Sequence, residues 1–243
     1  MNACIRSALI FFLLAPAAGF ATTWGDKEVD DPIAAGSTCK VHEPVSYGSY
    51  IYNWPSKYDQ VFWPFTDPDG IWHCEKSGFT ALIGDFSHIT PPEKDAISRY
   101  LQANYHGSAP IDDQLRLLAG IYELRHKDDA FNNHLFRVLA RWYQELGQSD
   151  RAAAYRRRAL LGMQQSLKGQ IPEGQRLEYL YLAANYTRFF GDTQASDRYI
   201  EELHAAVKHL KDGKLAGFAE YLSQLVKETP RIKPGKILDP GKD

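Results

Sequence analysis

The chain has 243 residues, 44% hydrophobic and 24% charged, a globular balance that excludes disorder along the whole length. Its 28 Lys and Arg stand against 30 Asp and Glu, and a net charge of −2 lacks the basic footprint that nucleic-acid binding requires. Aromatic residues reach 13%, and they are bunched rather than evenly spread.

Residues 1–21 read as a signal peptide. Arg6 supplies a positive start, Ala8 to Leu14 form an apolar run, and Gly19 and Ala21 are small residues placed for cleavage after Ala21. The apolar run is too short to span a bilayer, no cysteine follows it to accept a lipid, and no other stretch approaches spanning length. The expectation is export to the periplasm with no stable membrane insertion. Of the three cysteines, Cys4 leaves with the signal peptide, while Cys39 and Cys74 reach an oxidising compartment, where two cysteines usually form one disulfide.

Residues 22–38 are polar, contain Gly and Pro, and show no periodicity, so they read as a flexible linker. Residues 39–89 form an aromatic-rich head. Pro44, Gly48, Pro55, Pro64, Pro68, Gly70 and Gly78 break it into pieces that suggest short strands and turns. Asp67-Pro68-Asp69-Gly70 is a turn signal, and it suggests a hairpin pairing Val61–Phe65 with Ile71–Cys74. At Thr90-Pro91-Pro92-Glu93 the pattern switches to a helix start, with Thr90 and Glu93 spaced as a capping box.

From residue 90 to 228 the apolar period is helical. Successive stripes run through Ile97 and Leu101, Leu115 and Leu118, Leu135 and Leu139, Ala152 and Ala159, Leu177 and Leu180, Leu203 and Val207, and Leu222 and Leu225. Two helix pairs carry a spacing that resembles the tetratricopeptide (TPR) repeat. The first runs Phe136, Leu139, Ala140, Tyr143, Gly147, Ala152 and Ala159; the second runs Leu180, Ala184, Gly191, Ala195 and Tyr199, with Ser196 where a small Ala is expected. The expected fold class is mainly α, TPR-like helical hairpins with a small N-terminal β- and turn-rich head. Residues 229–243, with three prolines and several lysines, read as a disordered tail.

Cys39-Lys40-Val41-His42, the stretch Trp72-His73-Cys74-Glu75-Lys76-Ser77-Gly78-Phe79, and Phe189-Phe190-Gly191-Asp192 together resemble the bacterial family called domain of unknown function 2225. The resemblance covers roughly residues 39–210 and implies a zinc-ribbon-type head with two C-x-x-C knuckles ahead of TPR-like helices. This chain departs from that pattern: His42 and Ser77 replace the second cysteine of each knuckle, and Ser is a poor zinc ligand. The facing knuckles of a ribbon imply that Cys39 and Cys74 lie close enough to bond, so a disulfide replaces the metal. Such a bridge closes a loop of about 35 residues, worth roughly 3–4 kcal/mol. The alternatives are zinc held by Cys39, His42 and Cys74 with His73 as a fourth ligand, or free thiols. The zinc set has a weakness, because His73 adjoins Cys74 and adjacent residues seldom both face one metal.

The remaining chemistry is sparse. Tyr50, Tyr52, Trp54 and Trp63 belong to the aromatic cluster; they offer faces for sugar rings, but a small head also uses aromatics as core. Asp67 and Asp69 suit a turn better than a calcium loop. His42, His73 and His88 lack any nucleophile motif beside them, and no G-x-S-x-G, H-E-x-x-H or phosphate loop occurs. The run Arg151, Arg156, Arg157 and Arg158 reads as a solvated helix face. By analogy with the TPR architecture, Asn132, Arg137, Arg141, Asn185 and Arg188 are expected to line a partner-binding groove. These readings converge on an exported protein that binds another protein or peptide, without catalysis and without a cofactor. Polysaccharide binding through the aromatic head is one alternative, and a metal-assisted enzyme with its site in the head is another.

Overall fold

The computed structural model describes residues 23–46 and 52–238, so the expected signal peptide and Tyr50 lie outside the described residues. Within them the fold is mainly α, eight α-helices behind a head of short strands.

The head opens with β1 (Trp24–Asp30) and β2 (Thr38–Pro44), antiparallel and in a register that sets Val29 opposite Cys39. The segment expected to be a linker is thus a strand for much of its length. Its side chains are mostly polar and exposed, which hid the alternation. Asp31 holds the connecting turn: its Oδ1 accepts from the amides of Ile33 and Ala34, both at 2.9 Å.

The helix α1 (Trp54–Asp59) follows, where strands were expected. Asn53 caps it by accepting from the Ser56 amide, Pro55 pre-sets the first turn, and Gln60 closes it in the left-handed region at φ 49°. After a short 3₁₀ turn (Pro68–Gly70), β3 (Ile71–His73) pairs with β4 (Thr80–Leu82) and not with residues 61–65, correcting the expected hairpin. The β3–β4 turn needs Gly78: its φ is +79°, and a Cβ there would meet the Tyr105 ring at 2.3 Å.

Seven helices follow, one for each apolar stripe: α2 (Pro91–Asn104), α3 (Ile111–Glu123), α4 (Asp129–Glu145), α5 (Ser149–Ser166), α6 (Glu173–Phe189), α7 (Thr193–Lys208) and α8 (Ala216–Leu225). Glu93 caps α2 as its spacing suggests, its Oε2 accepting from the Thr90 amide and hydroxyl at 2.8 Å. α4 with α5, and α6 with α7, form antiparallel pairs turning at Gly147 and Gly191, both at positive φ. Buried Ala140, Ala152 and Ala159 let the first pair close up, and fully buried Ser196 plays that part in the second.

The tail also departs from expectation. A 3₁₀ helix (Val226–Arg231) continues from α8, Ile232 and Leu238 are buried, and the Gly235 amide reaches the Phe189 carbonyl at 2.9 Å. The few aliphatics among the prolines and lysines dock residues 229–238 against the end of α6. With α1, α5, α7, α8 and this tail packed around it, α6 is buried on nearly every face. Two cores result: one joins the strands of the head to α2–α4, and the other wraps α6 and takes in Tyr58 from α1.

Candidate functional site

The C-terminal end of α1 leaves four carbonyls without helical partners, and three helical side chains satisfy them. Tyr181 donates to the Lys57 carbonyl at 3.1 Å, and Asn185 Nδ2 donates to that of Tyr58 at 3.3 Å. Arg137 Nη1 donates to the carbonyls of Asp59 and Gln60 at 3.1 and 3.0 Å, a cation where the helix dipole is negative. The Asp59 carboxylate then takes a two-pronged grip from Arg156, Nε at 3.0 Å and Nη2 at 2.8 Å, and accepts from Tyr186 at 2.7 Å. Both members of that ion pair have side chains with 0% exposure. Burial pushes the Tyr58 and Tyr186 phenols well above their ordinary range, so both stay neutral beside the pair.

Arg137 and Asn185, expected to meet a partner, therefore grip the chain's own segment. The other three take no part in that grip, and Asn132 lines a cavity of about 260 Å³ beside α3. Arg188 pairs with Asp197 at 2.6 Å, Asn132 bonds the Lys127 carbonyl at 3.1 Å, and Arg141 pairs with Glu145 at 2.5 Å. Arg156 is buried rather than part of a solvated face, a second correction.

An open groove lies elsewhere, between α3 and α5. Two adjoining cavities of about 470 and 260 Å³ share Ala119, Glu123, Tyr155 and Arg158. Tyr143 and Tyr155 stack there with ring centres 5.6 Å apart and planes 4° from parallel. Arg151 lies 5.3 Å over Tyr143, and Arg158 lies 4.2 Å over Phe136. Gly120 makes room for Tyr100, whose hydroxyl would stand 2.2 Å from a Cβ at that position. The carboxylates that pair with Arg116, Arg151 and Arg158 are the exposed Asp113, Asp112 and Glu123, pairs that contribute little and exchange readily, while Arg116 also donates to the Asn104 carbonyl at 3.2 Å. The groove was not visible in the sequence, because its aromatics are spread over four helices, α2 to α5.

Of the residues expected to hold a sugar, Tyr52 and Trp63 share a recess of about 290 Å³ with Arg141, Glu145 and Asp67. Trp54 is directed elsewhere, against the core around α6.

In the head, Cys39 and Cys74 form a disulfide with Cα atoms 5.1 Å apart, joining β2 to the end of β3. The disulfide takes up both sulfurs of the alternative zinc set, and its histidines point to other partners. His42 sits between Asp69 at 2.6 Å and Asp26 at 3.2 Å, and the hydrogen bond to Asp69 raises its pKa. His73 Nδ1 is 2.8 Å from the Thr80 hydroxyl, and burial lowers its pKa. The residues that gather around the sulfurs are Asp31, Cys39 and Cys74. His42, His73 and Cys39 do line one cleft of about 480 Å³, between β2 and β3. Asp85 is a clamp, bound by Tyr122, Arg125 and Lys127 at 2.8 to 3.0 Å.

The chain matches no known family model, no curated protein and no solved structure.

Proposed function

We propose that this chain is an exported, periplasmic protein whose TPR-like helical array binds another protein through the groove between α3 and α5. The observation that carries this reading is the convergence of Tyr100, Tyr143 and Tyr155 with three exchangeable arginines on one open face. Tyr and Arg are the side chains that dominate binding energy at protein interfaces, since each combines a large apolar area with directed hydrogen bonds. The partner segment that fits carries carboxylates to take over Arg116, Arg151 and Arg158 from their weak pairs, and an apolar or aromatic residue for the tyrosine stack. Arg137 and Asn185 are occupied by α1, whereas Asn132, expected to meet the same partner, lines this groove, which supports placing the binding surface here.

A photo-crosslinking residue at Tyr155, introduced in the producing cells, tests it. One discrete adduct is expected at Tyr155 and none at Leu161, an exposed position further along α5. The double charge reversal Arg151→Glu, Arg158→Glu should abolish the adduct. An adduct that survives the reversal, or its absence, rejects the groove. The mass of the protein recovered from the periplasm tests export, a chain starting at Thr22 being the expected result.

A second reading has its own support. The recess at Tyr52 and Trp63 sets aromatic faces beside planar polar groups of Arg141, Glu145 and Asp67, the combination that holds a sugar ring. Sedimentation with insoluble peptidoglycan, lost in Trp63→Ala, would favour it over the protein groove.

A further inference from the structure

We propose that Asp31 makes the Cys39–Cys74 disulfide an exchangeable one, by stabilising its dithiol form. The Asp31 residue is 5% exposed, and one oxygen of its carboxylate and the two sulfurs lie within 4.8 Å of one another. Oδ1 is engaged with the turn amides of Ile33 and Ala34. Oδ2 is buried and has no hydrogen-bond partner among the described residues. A buried acceptor without a donor is costly, and a disulfide offers it none, since its sulfurs carry no hydrogen.

Reduction changes that. A dithiol donor, small or protein-borne, approaches along the cleft that Cys39 lines. Its thiolate attacks one sulfur, the Cys39–Cys74 bond breaks, and a mixed disulfide forms while the released sulfur takes a proton. The donor's second thiol attacks the mixed disulfide and leaves as the donor's own disulfide, and the other cysteine takes the second proton. Two electrons and two protons pass from donor to protein. Each cysteine now carries an S–H, and Oδ2 accepts from one or both. The satisfied oxygen favours the dithiol, so this disulfide is easier to reduce than a comparable bridge in an apolar site. The side chain acts on the sulfurs by position and takes no part in the electron transfer.

Asp31→Asn separates this from a purely structural role. The turn amides hold the Asn carbonyl where Oδ1 was, so the NH₂ group, a donor, replaces the unpartnered Oδ2. The full-length protein is equilibrated with graded dithiothreitol in the presence of a metal chelator, quenched in acid, alkylated and weighed. The variant should need about a tenfold more reducing ratio for half-reduction, since an unsatisfied buried acceptor costs roughly that much, and tenfold is about 30 mV for a two-electron couple. Asp30→Asn, an exposed neighbouring carboxylate, should leave the midpoint unchanged. A midpoint for Asp31→Asn within twofold of the parent, a shift in the opposite direction, or an equal shift in Asp30→Asn overturns the proposal. If Asp31→Asn does not fold, the S–H stretching band of the reduced parent decides: a band shifted by a carboxylate acceptor supports the assignment, and a free-thiol band rejects it.

Discussion

Asp59 and Arg156 form an ion pair in which neither member has any exposed side-chain area. Removing one member leaves the other charged in an apolar surround, so Arg156→Met should cost about 3–5 kcal/mol. Replacing both, as in Asp59→Asn with Arg156→Met, should recover much of that loss; urea unfolding followed by circular dichroism measures both variants. Recovery separates a buried pair from two independent contacts. Neither residue announced itself in the sequence. Arg156 heads a run of three arginines that reads as a solvated face, and only the helical rotation between neighbours turns it inward while Arg157 and Arg158 stay exposed. Asp59 was one carboxylate among many, because the grip on it comes from residues nearly a hundred positions away. Cys39 and Cys74 were legible because the expected export and a count of two cysteines leave a single intramolecular pairing, and the structure joins them. Asp31 was not, since nothing in a linker-like stretch marks a carboxylate that folds back onto sulfur.

At the scale of elements, the legible parts were those with long apolar periods. Seven stripes gave seven helices, and the Thr90 to Glu93 spacing gave the cap on α2. Backbone amides of His126 and Thr90 hold the Glu93 carboxyl down from 4.5 to about 2. A carboxyl lowered on folding stabilises the native state above its unfolded value and loses that contribution as pH falls toward the folded one. Stability should therefore drop by about 2 kcal/mol between pH 4.5 and 2 on account of Glu93. Glu93→Gln should flatten that part of the profile, read by chemical unfolding at a series of pH values. The short elements were hidden for a physical reason. α1 has six residues, too few for a helical period to show, and its identity rests on the Asn53 cap and Pro55. Asn53→Ala should cost about 1 kcal/mol of global stability, measurable as a shift in the urea midpoint, because α1 is locked into the core rather than fraying alone. β1 was hidden by polar side chains, since one face is solvated and the other covers little of the core.

At the scale of the whole molecule, the position of α1 in the chain matters as much as its contacts. The Cys39–Cys74 bridge closes a loop with a sequence separation of 35, and α1 lies inside that loop. The covalent ring therefore delivers Tyr58 and Asp59 to the helical array with part of the loop-closure entropy already removed. Cys39→Ala with Cys74→Ala should lower global stability by about 3–4 kcal/mol in the chain-entropy model. The loss should not be spread evenly. Amide hydrogen exchange should rise first in α1 and around the head strands, while α7 and α8, held by their own pairing with α6, stay protected. Uniform acceleration across the chain would mean that head and helices unfold as one unit, and that the ring restrains the denatured state without guiding α1 into place. Acceleration confined to the head strands, with α1 still protected, would mean that Arg156, Arg137 and Asn185 hold the segment unaided. The groove between α3 and α5 meets the grip on α1 along one helix, α5, where Tyr155 and Arg158 line the groove and Arg156 between them in sequence holds Asp59. Partner binding at Tyr155 in the cysteine-free variant is thus the measurement that tells whether head and groove are independent parts of one molecule.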